Sequence, residues 1–187
     1  MTFFRTTEQK KMHPNILICG TPGTGKSTLC EELNSRLQPN SSFHKVSDIC
    51  NENNYYDGYD EKLETHILDE DKLLDDLEVK LGDERDDTIT NIVEYHHSEL
   101  FPERWFHLVV VLRTENSILF DRLTARGYND AKRENNLQCE MYGVLAEEAR
   151  ESYPKIEVVE LRNDSVEDLE SNVEQIAAFV ENFVKSN

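Results

Sequence analysis

The chain is short of positive charge, of cysteine and of long apolar runs. Among its 187 residues, 38 Asp and Glu outnumber 20 Lys and Arg, giving a formal net charge of -18. Nucleic-acid affinity comes mainly from neutralising phosphates with basic side chains, so strong direct binding to DNA or RNA is not expected, and neither is attachment to an anionic membrane. A field of this sign attracts basic proteins. Any phosphate-bearing ligand must be met by positive charge gathered locally. No stretch approaches the ~18 apolar residues of a membrane helix, and the opening Met1-Thr-Phe-Phe-Arg-Thr-Thr-Glu-Gln-Lys10 has no apolar core of a secretory leader. Cys19, Cys30, Cys50 and Cys139 form no C-x-x-C pair and no zinc-like spacing with histidine. They read as reduced thiols of a soluble intracellular protein. Internal repeats are absent, and so is N-K-x-D, the guanine-reading motif of GTPases.

The apolar residues that are present fall into short, separated runs. Asn15-Ile-Leu-Ile-Cys19 and Leu108-Val-Val-Val-Leu112 read as buried strands, with further strands over 43–47, 88–94 and 156–161. Helical spacing covers 27–37, 67–81, 117–126 and 137–152. A final helix opens on the capping-box pattern Ser165-Val-Glu-Asp168 and runs to about Val184. Asp48 is placed to cap a short helix. Residues 51–65, with Tyr55, Tyr56 and Tyr59 around Asp57-Gly58, show no clean period and read as a loop or small lobe. Strands separated by helices imply right-handed crossovers and a parallel α/β sheet with helices on both faces. The expected organisation is a flexible arm over 1–13, with Met12 a second candidate start, followed by one domain over 14–187.

Gly20-Thr-Pro-Gly-Thr-Gly25-Lys26-Ser27 fits G-x-x-x-x-G-K-[ST], and it lies directly between an apolar strand and a helix. The glycines let successive amides turn inward on a phosphate. The helix N-terminus adds its dipole, Lys26 brings a point charge to the β and γ phosphates, and the Ser27 hydroxyl is a ligand for magnesium. Asp57, Asp60, Asp69 and Asp71 read as solvated or helix-capping positions rather than a metal cluster.

With those motifs stand Tyr56-Asp-Gly-Tyr-Asp-Glu61, Ile67-Leu-Asp-Glu-Asp71, Phe101-Pro-Glu-Arg-Trp-Phe-His107, Val111-Leu-Arg-Thr114, Arg126-Gly-Tyr-Asn129 and Gln138-Cys-Glu140. On these strings the chain, from about Pro14 onward, resembles the adenylate kinase isoenzyme six family of coilin-interacting nuclear ATPases. The resemblance implies a P-loop nucleoside monophosphate kinase fold: a five-stranded parallel sheet flanked by helices, an acceptor lobe over about 45–68 and a short lid over about 125–135. It implies ATP + AMP ⇌ 2 ADP with Mg2+, together with ATP hydrolysis. It also implies a role in small ribosomal subunit maturation in nucleus and cytoplasm, a basic small-subunit ribosomal protein as partner, and a monomer. An ATP-switched assembly factor with little kinase activity is the alternative.

Carried over by position, ATP contacts fall on Gly23, Gly25, Lys26, Ser27, Thr28 and Arg126, with Lys132 and Arg133 available to close over the phosphates. Catalytic roles fall on Lys26, Glu94 and His96, and metal ligation on Ser27 and Glu94. The AMP side falls on Asp48, Asn51 and Arg104, with Arg113 a further candidate that is equally placed to pair with an acidic neighbour. The sequence departs from the family twice. Glu94 stands where the family has Asp before an aromatic and His96, and Asn51 stands where it usually has arginine.

Overall fold

The computed structural model describes residues 11–61 and 65–187. Residues 1–10, most of the expected arm, and 62–64, within the span of the expected acceptor lobe, lie outside the described residues. His13, at the end of that arm, is bound into the fold. Its amide donates to the Asp87 carbonyl at 2.7 Å and its ring Nδ1 meets Thr90 Oγ1 at 3.0 Å, while its carbonyl accepts from Arg85 at 2.8 Å.

The first strand, β1 (Asn15–Gly20), is buried along its whole length, as expected for a parallel strand covered on both faces. It leads through the glycine-rich turn into α1 (Lys26–Leu37). The chain continues as β2 (Ser41–Lys45), α2 (Val46–Asn53), a hairpin of β3 (Tyr56–Asp60) and β4 (Thr65–Leu68), α3 (Glu70–Leu81) and β5 (Thr90–Glu94). Then come a 3-10 turn (Glu103–Trp105), β6 (Leu108–Arg113), α4 (Asn116–Ala125), α5 (Asp130–Tyr142), α6 (Val144–Ser152), β7 (Val158–Arg162) and α7 (Val166–Ser186). Five strands form one parallel sheet in the order β2-β5-β1-β6-β7. Alternation along the strands divides the core. Leu17, Cys19, Val93, Val109 and Val111 face α2, α3 and α6, whereas Ile16, Ile18, Ile92, Val110 and Leu112 face α1 and α7.

Three local expectations are corrected and one open alternative is resolved. Of the loop and the small lobe expected over 51–65, the structure has the folded form: α2 runs to Asn53, Asn54 turns the chain at φ 54°, and the hairpin follows with Tyr59 opposite His66. Its aromatics pair with each other, Tyr56 stacking on His66 at 4.5 Å, so hydrophobic period is a poor guide there. Ile67 belongs to β4 and α3 starts only at Glu70, because Asp69 caps it by accepting from the Lys72 amide at 3.2 Å. The helix expected over 137–152 is two helices, broken at Gly143, whose φ of +67° an L side chain rarely adopts. Asp48 does not cap α2. It sits in the first turn and pairs with Lys45, the residue at the cap, at 3.3 Å.

The Ser165 capping box is present: Ser165 Oγ accepts from the Asp168 amide at 3.1 Å, and Asp168 Oδ2 accepts from the Ser165 amide at 3.0 Å. Ser165→Ala is expected to lower unfolding free energy by about 1 kcal/mol. The check is the urea midpoint, and an unchanged midpoint would show that the cap does not hold α7.

Candidate active site

All five strands of the sheet end on the same edge, and there the chain leaves β1 as a tight loop. Gly20, with φ +141°, lies so close to β6 that a Cβ would meet the Leu112 carbonyl at 2.5 Å. A Cβ on Gly25, with φ +93°, would meet Asn163 Nδ2 at 2.4 Å. That amide donates to the Thr24 carbonyl at 2.7 Å and braces the loop from outside, while Arg122 Nη1 donates to the Gly23 carbonyl at 3.3 Å. Inside the loop, Lys26 is 8% exposed, and its Nζ donates to the Gly20 carbonyl at 2.7 Å and to Thr21 at 3.1 Å. Desolvation pulls its ammonium down to about 8, with Glu94 opposing that shift.

The parallel register sets Glu94, the last residue of β5, opposite Ile18 of β1. Its Oε1 accepts from the Ser27 hydroxyl at 2.8 Å, while Oε2 is buried with no hydrogen-bond partner among the described residues. A buried carboxylate oxygen left open beside a hydroxyl, next to a phosphate loop, suits a hard divalent cation or the water it carries. Ser27 and Glu94 therefore fit magnesium. The extra methylene of glutamate is taken up by its reach to Ser27.

His96 follows two residues later, beside the loop, with its carbonyl accepting from the Gly20 amide at 3.4 Å. Much of the residue faces solvent. Even so, desolvation by the surrounding wall, followed by the nearby His97 and Lys26, lowers its imidazole to about 4. The segment is fixed from α6. Glu148 accepts from the Ser98 amide at 2.7 Å and pairs with His97 at 3.0 Å, and the Tyr153 hydroxyl donates to the Ser98 carbonyl at 2.5 Å.

Gly23, Gly25, Thr28 and Arg126 line one cleft of about 570 Å³ with Arg122 and the chain from Asn163 to Val166. The structure thus brings the ATP-side candidates together. It does not bring Lys132 and Arg133 into the cradle. Lys132 lies over the Tyr128 ring at 4.7 Å; Arg133 lies over Phe120 at 4.8 Å and pairs with Asp130 at 2.5 Å.

The AMP-side candidates are dispersed. Asp48 and Asn51 are on α2, which starts at the strand ends, but Asn51 Oδ1 accepts from the Tyr56 hydroxyl at 2.6 Å. Arg104 is in the turn that leads into β6, so it lies where the strands begin, at the opposite edge from the loop. It donates to Glu78 at 2.6 Å and covers Trp105. Carrying the family's roles over by position misplaced it. Arg113 does end at the correct edge, but it pairs with Glu140 at 2.8 Å and Glu160 at 2.6 Å. Glu148, Arg122 and Asn163 shape the site without any local motif to announce them, and Glu140 does so from the string Gln138-Cys-Glu140, which gives it no role.

A strand-anchored phosphate loop, a hydroxyl–carboxylate pair beside it and a cleft with two arginines are the marks of a P-loop kinase fold. A family model described as an AAA domain matches residues 16–143. The adenylate kinase isoenzyme 6 homolog of Saccharomyces cerevisiae is 46% identical over 172 residues, 92% of this chain and 84% of that protein. The Caenorhabditis elegans homolog is 44% identical over 95% of this chain and 94% of its own. The chain belongs to the adenylate kinase isoenzyme 6 family. In fold it is similar to a putative kinase of Chloroflexus aurantiacus (TM-score 0.60, 13% identity, 93% of this chain and 99% of that one). It is similar also to thymidylate kinase of Candida albicans (TM-score 0.56, 16% identity, 94% and 95%).

The two titrations give a pH prediction with a definite sign. Lys26 is charged below about pH 8 and loses its proton above it, so kcat/KM for ATP falls as pH rises past about 8. His96 is already neutral above about 4, so it contributes no inflection near the ordinary histidine value of about 6.5. Initial rates across pH at low ATP check both limbs, and an acid limb centred near 6.5 that vanishes in His96→Asn would contradict the assignment.

Proposed function

We propose that the chain transfers the γ-phosphoryl group of ATP to AMP, giving two ADP, and hydrolyses ATP slowly when no acceptor is bound. The observation that carries this reading is the Ser27–Glu94 pair, with its open buried oxygen, set beside the Lys26 cradle. Ser27 and Glu94 would hold magnesium, which supplies charge neutralisation on the polyphosphate. An AMP phosphate oxygen attacks the γ-phosphorus in line as the bond to the bridging oxygen breaks and ADP leaves. The loop amides and Lys26 hold the polyphosphate and stabilise the charge that spreads over it. Arg126 faces the nucleotide cleft and is placed to clamp or stack on the donor. No protein nucleophile takes part. Without AMP, water is the attacking group, neutral His96 beside the loop orients it, and the proton leaves with the phosphate product.

A second reading, an ATP-switched ribosome assembly factor with little kinase activity, is favoured by the acceptor side. Residues 45–68 contain no arginine, Asn51 is tied to Tyr56, and Arg104 is held at the far edge of the sheet. In both readings the protein acts as a monomer in small-subunit maturation, in nucleus and cytoplasm, with a basic ribosomal protein as partner. The net charge of -18 supports the partner's sign.

Measuring ADP formed from MgATP with and without AMP separates the readings. Stimulation by AMP of about tenfold or more supports the kinase, and no stimulation supports the ATP-driven switch. Lys26→Ala is expected to abolish both activities, and full activity in that variant would remove the cradle from the account. Association with a basic small-subunit protein is expected to weaken steeply as salt rises through about 0.1 M, and binding indifferent to ionic strength would exclude charge steering.

A further inference from the structure

Thr21, the second residue of the phosphate loop, is 1% exposed. Its carbonyl accepts from Lys26 Nζ at 3.1 Å and from Thr24 Oγ1 at 2.9 Å. An ammonium has three N–H donors. Two of those on Lys26 are committed to the Gly20 and Thr21 carbonyls, so the orientation of these two peptides decides where the third points. The Thr21 side chain turns away from the cradle and donates to Glu140 Oε2 at 2.5 Å, across 119 residues of sequence.

Glu140 is 4% exposed and lies in the last turn of α5, the helix that carries Lys132 and Arg133 near its other end. Its Oε1 accepts from Arg113 Nε at 2.8 Å and from the Thr114 amide at 2.9 Å, and its carbonyl accepts from Arg113 Nη2 at 2.6 Å. Arg113 and Thr114 alone would anchor this turn of α5 to the end of β6. The hydroxyl contact to Thr21 is not needed for that anchorage, and it reaches the peptide on which Lys26 rests. Charge-assisted hydrogen bonds of this length are strong and directional, so the carboxylate fixes what it touches.

We propose that Glu140 is a positioning residue for phosphoryl transfer: through the Thr21 hydroxyl it sets the peptide that aims Lys26, and through Arg113 and Thr114 it registers that peptide to α5 and the end of β6. The inference rests on the nucleotide-kinase reading and deepens it. Because Lys26 acts on charge that develops during transfer, disturbing its aim reduces turnover more than it reduces ground-state binding.

The test compares Thr21→Val, which keeps the shape and removes the hydroxyl, with Thr21→Ser, which restores it, both in the full chain. Nucleotide-binding sites are counted by titration with MgATP so that rates refer to folded, competent protein. Thr21→Val is expected to lower kcat about tenfold or more while KM for ATP changes less than about threefold, and Thr21→Ser to stay within about twofold of the unaltered chain. Glu140→Gln is expected to lower kcat in the same sense. Its effect on kcat should shrink when Thr21 is already valine, since the two side chains share one link, while the part carried by Arg113 and Thr114 remains. Unchanged kcat in Thr21→Val overturns the proposal, as does a loss that follows only the number of competent sites or a serine variant that fails to recover. If the unaltered chain binds no MgATP, the nucleotide reading falls together with this one. If it binds and turns over but ignores Thr21→Val, this inference falls alone.

Discussion

Lys26 carries its charge almost entirely out of water, and the surrounding edge of the sheet is arranged to keep it there. Desolvation lowers its ammonium from 10.5 to about 8, so below about pH 8 the folded chain bears the penalty of a buried cation. Raising pH from about 8 through 10.5 would relieve that penalty by removing the charge. A bound polyphosphate relieves it while keeping the charge. That difference turns a local destabilisation into affinity, and it explains how a chain of net charge -18 can hold a strongly anionic ligand: the attraction is confined to a few ångströms of oriented backbone and one ammonium.

The rest of the structure serves that arrangement at increasing distance. Parallel pairing of β1 with β5 and β6 brings the loop, Glu94 and the β6 terminus to one edge. Asn163 and Arg122 press on the loop from the β7 side, and Glu148 with Tyr153 fixes the chain that carries His96. The acceptor side is built differently. Its hairpin packs aromatic on aromatic, and its polar residues bond mainly to each other. The phosphate-loop side is thus shaped by backbone and buried charge, while the segment expected to form the acceptor lobe, residues 45–68, holds no arginine.

How much of this could be read in the sequence follows from the range of the interactions involved. The central strands β1 and β6 announce themselves because burial on both faces demands short, nearly continuous apolar runs, whereas the edge strands β2 and β7 are partly exposed and signal more weakly. The phosphate loop and the Ser165 capping box are contiguous, and a contiguous motif carries its own geometry. The hairpin over 56–68 was hidden because exposed strands need no alternation of apolar residues. Arg104 was misplaced because a role carried over by position does not reveal that the segment after β5 crosses back to the opposite edge before β6 begins. Glu140 and Asn163 reach loop residues 119 and 139 positions away; the string Gln138-Cys-Glu140 marks the glutamate but nothing local shows what it touches.

Calorimetric titration of the purified chain with MgATP tests the central claim most directly. A single saturable site per chain, lost when Lys26 is replaced by alanine and weakened when Glu94 is replaced by glutamine, is the predicted result. Absence of a heat of binding across temperatures, or binding that survives both substitutions unchanged, would contradict the assignment of the loop, the ammonium and the carboxylate as the seat of function.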